Sequence, residues 1–240
     1  MADMTLTAES VGAASAAWVW VPDNAIVVET DGYSVMRLPD YFDYQLSVLT
    51  FQPSGPLGDA VDPVLELARS FGLPKLRWPV RIDEPAALAA ELTARGGTLA
   101  MTLDVLASDL TGGAPAIPPP EAEVTVRWAT DFATARDGAA VGVAGFGGAL
   151  PPEDRITEDA ASYAAAVPAG EGGMLVGYAD GAAVGTGGVT MAEGVARLSY
   201  AVAQGAAMAL VKGKVDTSGP ILRRAGFSVF GSETVYDIPL

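Results

Sequence analysis

The side chains able to do chemistry in this chain are few, because its 240 residues include neither Cys nor His. Thiolate nucleophiles, imidazole bases and the common zinc sites are therefore excluded, and acid–base work falls to Asp, Glu, Tyr, Lys, backbone groups or water. The most distinctive pattern lies between Gly205 and Phe227. There a short apolar strand, 208–211, leads through a polar turn into a short helix. Pro220 suits the first turn of that helix, and Gly226 ends it before an extended segment restarts.

This strand, capped helix and terminal Gly-Phe resemble the C-terminal motif of the GCN5-related N-acetyltransferases. The resemblance implies that the strand and the helix hold the pantetheine arm of acetyl-CoA. It identifies the chain as a tandem, two-domain member of actinobacterial type. It also implies transfer of the acetyl group to an amine by direct attack, with no covalent enzyme intermediate. The sequence does not name the acceptor, which we expect to be a small-molecule or peptide amine.

Candidate site residues follow from the same resemblance. Ala201 and Val202 match the family positions whose backbone approaches the acetyl group, where an N–H group could stabilise an oxyanion. Tyr200 lies beside them as the catalytic candidate, although a tyrosine in a strand is more often half-buried packing. Ser218 matches a small residue that touches the cofactor arm, with a helix cap as the alternative. Leu222 stands where family members often have the tyrosine that protonates the leaving thiolate, so that role is unfilled.

The acceptor side offers only weaker candidates. The acidic residues that border the acceptor cleft of this fold are Glu153, Asp154 and Glu158, although charged helix faces are usually only solvated faces. Nearby glycines could shape a mobile substrate loop or merely a turn: Gly145, Gly147 and Gly148. No metal site is expected.

The elements upstream of the motif resemble the first half of the same fold. Asp131 can cap a helix, and Asp180-Gly181 is a strong hairpin signal. We therefore predict an α/β (α+β) protein with an acyl-CoA N-acyltransferase-like mixed sheet flanked by helices. The predicted elements of this half are strand 124–128, helices 131–142 and 152–165, and strands 174–178, 183–191 and 196–202.

The first half shows a similar order with fewer diagnostic residues. Its predicted elements are extended pieces at 16–21, 25–29 and 46–51, helices at 60–71 and 84–95, and strands at 75–82 and 98–110. We interpret it as a degenerate first copy of the acetyltransferase fold, with a generic α/β domain as the alternative. The segment from Thr111 to Glu123 carries three consecutive prolines, which favour an extended connector. The predicted domains are therefore 1–112 and 124–240, joined by a Pro-rich linker, 113–123.

One interruption affects the predicted cofactor site. The family places a crossover helix and a phosphate-binding loop between strands that here are 196–202 and 208–211. Only residues 203–207 separate them, whereas parallel strands need about a dozen residues or more. Three explanations stay open: residues absent from the sequence at hand, a genuine deletion, or a plain hairpin. A deletion would leave a non-catalytic acetyltransferase-like binding or scaffold protein that has lost the pyrophosphate loop.

Charge and hydropathy limit the partners. The net charge of -15 argues against nucleic acid, and the mean hydropathy of +0.31 allows a substantial core. Residues 205–240 carry a net charge of +1, which is either a solvated edge or a surface less repulsive to a phosphorylated cofactor. No apolar run has the length of a membrane span, so we expect a cytoplasmic protein without signal peptide or anchor. A homodimer could form through a flat sheet edge in the first half.

Overall fold

The computed structural model describes residues 6–17, 19–113, 123–192, 195–196 and 206–240, which contain six helices and eleven strands. The chain divides into two compact units. The first unit comprises residues 7–106, 212–221 and 229–240, and the second comprises 1–6, 107–211 and 222–228. Mixed sheets flanked by helices confirm the predicted fold class. The units are not consecutive in sequence, and the division into domains 1–112 and 124–240 stays a prediction.

The first unit contains a mixed sheet in the order β1-β2-β3-β4-β11-β5. Strands β1, β2 and β3 pair antiparallel, β3 and β4 run parallel, and β11 pairs antiparallel with β4. The helices and strands that contribute to this unit are α1 (Ala8–Ala17), β1 (Ile26–Glu29), β2 (Tyr33–Arg37), β3 (Leu46–Phe51), α2 (Leu57–Ser70), β4 (Lys75–Val80), α3 (Ala87–Ala94), β5 (Thr98–Asp109) and β11 (Ser228–Pro239).

The core of the first unit lies between the sheet and helices α2 and α3. The apolar residues of α2 recur at helical spacing, so they lie on one face of the helix. Phe51 and Trp78 meet edge to face on the sheet, with ring centroids 5.1 Å apart. The fully or nearly buried members of this core include Val61, Val64, Leu65, Ala68, Leu76, Leu88, Leu92 and Ile238.

Helix α1 replaces the extended piece predicted at 16–21. The helix runs to Ala17, and residues 19–21 form no helix or strand. Its start is a reciprocal cap, since the Ser10 N–H donates to Thr7 Oγ1 at 3.1 Å and the Thr7 N–H donates to Ser10 Oγ at 3.0 Å. The strand prediction followed the apolar run and overlooked this cap. Strand β2, Tyr33–Arg37, was also not predicted.

The second unit contains a sheet in the order β10-β9-β8-β7-β6. Strands β6 to β9 pair antiparallel in succession, and β9 pairs parallel with β10. Helices α4 and α5 pack on one face of this sheet, around Val176 and Tyr178. The elements that contribute to this unit are β6 (Val124–Trp128), α4 (Phe132–Phe146), α5 (Glu153–Ala169), β7 (Gly172–Ala179), β8 (Ala182–Ala192), β9 (Val195–Ala196), β10 (Met208–Lys214) and α6 (Ser218–Arg224).

Local sequence signals explain several boundaries of the second unit. The Asp131 carboxylate accepts a hydrogen bond from the Thr134 N–H at 2.9 Å, as expected of a helix cap. Asp180 and Gly181 have φ of 50° and 78°, the conformation that a tight hairpin between β7 and β8 requires. Gly138 lets α4 approach the sheet, because a Cβ there would lie 2.8 Å from Met174 Sδ. Both the predicted cap and the predicted hairpin are confirmed.

Candidate active site

The parallel pairing of β9 with β10 shows that the hairpin explanation is wrong. Val195 lies opposite Met208, and Ala196 lies opposite Ala209. Eleven residues, 197–207, therefore connect the paired positions, close to the dozen that a parallel connection needs. Counting strand residues as far as 202 had left only five. The crossover helix and the phosphate-binding loop would fall among residues 197–205, which lie outside the described residues, so their loss stays a hypothesis.

The short helix α6 begins and ends on the predicted residues. Pro220 lies in its first turn, and Gly226 follows it with φ of 89°. The Phe227 N–H donates to the Leu222 carbonyl at 3.1 Å, and the Gly226 N–H donates to the Arg223 carbonyl at 3.1 Å. These two bonds are the Schellman arrangement that ends a helix at glycine. The predicted strand, capped helix and Gly-Phe motif is therefore present.

Ser218 already has a structural partner. Its Oγ accepts a hydrogen bond from the Lys214 N–H at 2.9 Å, which closes the turn between β10 and α6. Its neighbour Gly219 is buried, and a Cβ there would approach Asp104 Oδ2 to 2.8 Å. This start of α6 is thus tightly packed. The bond from Lys214 lies before the helix and is not a helix cap, so both interpretations of Ser218 stay predictions, and the hydroxyl proton stays available as a donor.

The other three predicted site residues are not described by the structure. Tyr200, Ala201 and Val202 lie outside the described residues, between β9 and β10 in sequence. Their assignment therefore stays a prediction.

One of the positive charges counted in residues 205–240 is already paired. Lys212 Nζ donates to Glu233 Oε2 at 2.7 Å, and the Glu233 side chain is only 2% exposed. Ser15, fully buried on α1, donates to the other oxygen of that carboxylate at 3.0 Å. Lys212 therefore belongs to an interior ion pair of the first unit. Arg223 and Arg224 are exposed at the end of α6.

The first unit contains a second parallel strand pair, β3 and β4, whose carboxyl ends are occupied by a side chain. Only Ser47 and Arg77 are paired between them. Beyond this point the Arg81 guanidinium donates to the Leu49 carbonyl of β3 and, at 2.9 Å, to the Ala16 carbonyl of α1. The opening between these strands is therefore filled by a hydrogen-bonded cation. Sequence reading missed this residue, since its partners are far away along the chain.

Glu84 adds an unusual carboxyl beside this arginine. Burial, and to a smaller degree the negative charges of Asp83 and Glu233, raise the pKa of Glu84 to about 7. The Arg81 N–H, which donates to Glu84 Oε2 at 2.9 Å, and the Arg81 cation oppose the shift. Desolvation is the larger influence, so this carboxyl titrates near neutral pH.

The acceptor-side candidates lie at the junction of α4 and α5. Glu158 is 3.8 Å from Arg155, which also pairs with Asp159, so part of this acidic face is internally neutralised. Glu153 and Asp154 lie in the first turn of α5. Their charges are favourable there because a helix N-terminus carries partial positive charge.

Exposed apolar side chains lie at the end of α4 and in the loop before α5. The sequence analysis did not single them out. Phe146 is 72% exposed and Leu150 is 44% exposed. Between them, Gly147 and Gly148 have φ of 83° and 91°, a backbone that other residues rarely adopt. Gly145 lies within α4 and has ordinary helical backbone.

Two further features are absent from the described residues, a metal-binding cluster and a membrane-spanning helix. Within the described ranges, no cluster of three or more Asp or Glu residues is arranged to hold a metal ion. None of the helices in that same part of the chain combines the length and hydropathy that a membrane crossing needs.

Solved acetyltransferase structures resemble the chain over most of its length. A GCN5-related N-acetyltransferase from Kribbella flavida matches with a TM-score of 0.63 and 18% identity, over 99% of this chain and 97% of that one. Another from Sphaerobacter thermophilus matches with a TM-score of 0.60 and 18% identity, over 87% and 76%. A functionally unknown conserved protein from Staphylococcus epidermidis matches with a TM-score of 0.54 and 11% identity, over 91% and 95%.

No protein-family model and no curated protein matches the sequence. At such low identity the structural likeness establishes the fold and nothing finer. The chain has the fold of the GCN5-related N-acetyltransferases.

Proposed function

We propose that this chain is an N-acetyltransferase, which moves the acetyl group of acetyl-CoA to the amine of a small molecule or a peptide in the cytoplasm. The observation that carries the proposal is the parallel pair β9 and β10, followed by α6, in a chain with the acetyltransferase fold. The resemblance to the family implies that the cofactor arm lies where these two strands separate.

The described residues around this strand pair suit a cofactor with an apolar arm and anionic phosphates. Residues 206 and 208–210 are all buried apolar side chains on or next to β10. Arg223 and Arg224 are exposed cations of the same unit. In a chain with a net charge of -15, such cations are needed to offset repulsion of the phosphates.

Acetyl-CoA, when bound, would supply an acetyl group activated as a thioester. We assign its polarisation to the backbone N–H groups of Ala201 and Val202, which can stabilise the negative charge that develops at the acetyl oxygen. We place Ser218 against the cofactor arm. Its Oγ already accepts from Lys214, and its O–H donor can be directed towards the cofactor arm.

Proton transfer completes the reaction. The amine attacks as the neutral base, the new C–N bond forms as the C–S bond breaks, and the amine proton passes to water or to a carboxylate of α5. Leu222 cannot protonate the departing sulfur, so we assign that donation to the Tyr200 hydroxyl. The chain needs no nucleophile of its own, consistent with its lack of Cys.

Calorimetry with acetyl-CoA and a thiol-release assay over a panel of amines test this proposal. We expect binding, and turnover with at least one amine. Tyr200→Phe should lower kcat by about 10²-fold with an unchanged dissociation constant for acetyl-CoA. Tyr41→Phe, in the first unit, is the matched control and should leave both unchanged. No binding at millimolar acetyl-CoA would contradict the proposal and leave a non-catalytic scaffold.

A further inference from the structure

Strand β6 forms an open edge of the second unit. The order of the described strands ends at β6, and four of its five residues are exposed. Val126, at its centre, is 60% exposed, and Val124 is 38% exposed. Natural sheets usually protect such an edge with Lys, Pro or a bulge, because its free backbone groups can pair with another chain. Strand β6 contains neither Lys nor Pro and pairs with β7 without a bulge at its five positions.

The hydrogen bonding of β6 fixes which of its backbone groups point outward. The Ala129 N–H donates to the Met174 carbonyl at 2.9 Å, which directs this residue towards β7. Successive residues of a strand alternate in direction. The N–H and C=O groups of Val124, Val126 and Trp128 therefore point away from β7.

The side chains of these outward residues share one face of the sheet. Gly177 pairs with Val126, so no side chain stands opposite that valine on β7. Thr125 and Arg127 lie on the other face, where the Arg127 guanidinium is 5.0 Å from the Tyr178 ring centroid. An approaching strand would thus meet valine and tryptophan on one face and a single cation on the other.

We propose that β6 pairs antiparallel with β6 of a second copy of this chain, about a two-fold axis at Val126. In this register Val124 lies opposite Trp128 of the second copy, and the two Val126 residues lie opposite each other. Thr125 lies opposite Arg127 of the second copy, so no like charges lie directly opposite each other. Each outward N–H finds an outward C=O, which makes the edge complementary to itself.

The edge strand of the first unit, β1, is less suited to such pairing, although the sequence had suggested an edge in that half. The Thr30 N–H donates to the Tyr33 carbonyl at 2.9 Å, so Val27 and Glu29 have outward backbone groups. Glu29 and the adjacent Asp31 place negative charge at this edge, in a chain that is already strongly acidic. Charged edge residues are a common protection against association.

The proposed interface is small. Five residues per copy bury less than the roughly 1,200–2,000 Å² of a stable interface. We therefore expect a reversible dimer with a dissociation constant in the micromolar range. Raised salt should tighten it, since each copy carries a charge of -15.

Sedimentation velocity of the full chain from about 1 to 500 µM tests the proposal. We expect a concentration-dependent shift from monomer to dimer that Val126→Pro and Val126→Lys abolish, the latter because two cations would meet on the axis. Both variants change an exposed position whose N–H has no partner in the described structure, and circular dichroism checks their folding. Glu29→Pro, at an outward position of β1, is the matched control and should dimerise like the unaltered chain.

Substitutions of Thr125 test the register in which the two β6 strands pair. Thr125→Glu places a carboxylate opposite Arg127 of the second copy and should tighten the dimer about two- to tenfold, while Thr125→Lys should weaken it to a similar degree. A monomer at every concentration would overturn the proposal. So would a dimer unaffected by both Val126 variants, or one lost only in Glu29→Pro. Opposite responses of the two Thr125 variants distinguish the two-fold pairing from capture of some other extended chain.

Discussion

The chain twice follows the same path, from a strand to a parallel strand, a short helix and a long strand. The first passage is β3, α2, β4, α3 and β5, and the second is β9, β10, α6 and β11. Both last strands have 12 residues. Gly96 and Gly226 end the two helices with φ of 84° and 89° and with the same pair of backbone hydrogen bonds. Equivalent local geometry thus recurs in sequences that look different.

The two passages differ in the polar contacts that basic side chains make on or next to their parallel strands. Between β3 and β4, Arg81 bonds to carbonyls of β3 and α1. Lys212, one of the two lysines of β10, instead pairs with Glu233 in the interior. One topology therefore accommodates two arrangements of polar side chains: a cation bonded to backbone carbonyls in the first passage, and a buried ion pair in the second.

Removing Lys212 should have the largest effect on stability. Lys212→Ala leaves the buried Glu233 carboxylate with Ser15 as its donor among the described residues, and should lower the free energy of unfolding by about 3–5 kcal/mol. The control is Lys212→Met with Glu233→Leu, which removes both charges and should recover most of the loss. Urea unfolding measures both. A loss below about 1 kcal/mol in the single variant would show that the pair is not truly interior.

Arg81→Met tests the structural role of the first passage. Two buried carbonyls would lose a charged donor, and the free energy of unfolding should fall by about 2–4 kcal/mol. The dissociation constant for acetyl-CoA should not change. Arg224→Met is the counterpart, and should weaken acetyl-CoA binding with little effect on stability. If Arg81→Met instead weakened acetyl-CoA binding in a stable protein, the cofactor site would belong to the first unit.

Glu84 should make stability depend on pH. Its pKa rises from 4.5 in the unfolded chain to about 7 in the fold, so the folded state retains a proton that the unfolded chain has lost. This contribution is fully present below pH 4.5 and is lost as the pH rises through 7. Because the side chain is partly exposed, we expect an effect of about 1–2 kcal/mol.

Glu84→Gln is the matched test of this dependence. The free energy of unfolding of the variant should exceed that of the parent at pH 8. It should also change less between pH 5 and pH 8, as measured by urea unfolding. An unchanged pH profile would mean that the carboxyl titrates as an ordinary exposed glutamate.

The two helix ends offer the smallest and most direct test of the repeated path. Gly96→Ala and Gly226→Ala should each cost about 1 kcal/mol, because alanine is strained at positive φ. Thermal unfolding of both variants checks this. A difference of more than about 1 kcal/mol between them would break the equivalence.

Much of the fold could be predicted from sequence. Strands 46–51 and 124–128 have the predicted bounds, and the Asp131 cap and the Asp180-Gly181 turn are confirmed. Helix α1 was missed, although the Thr7 and Ser10 cap was readable. The candidate site was predicted less completely: its helix α6 is where expected, the pairing of its two strands was left open among three explanations, and Tyr200 remains a prediction.

The sequence by itself determined the positions where the backbone has few choices. Gly226 and Gly181 tolerate a left-handed backbone, and Asp131 supplies a carboxylate to a free N–H, so neighbouring residues suffice to specify these features. Only the tertiary structure decided that β9 and β10 run parallel and that Lys212 is neutralised by Glu233. Such pairings depend on which distant segments become adjacent, and on the cost of burying a charge that has no partner.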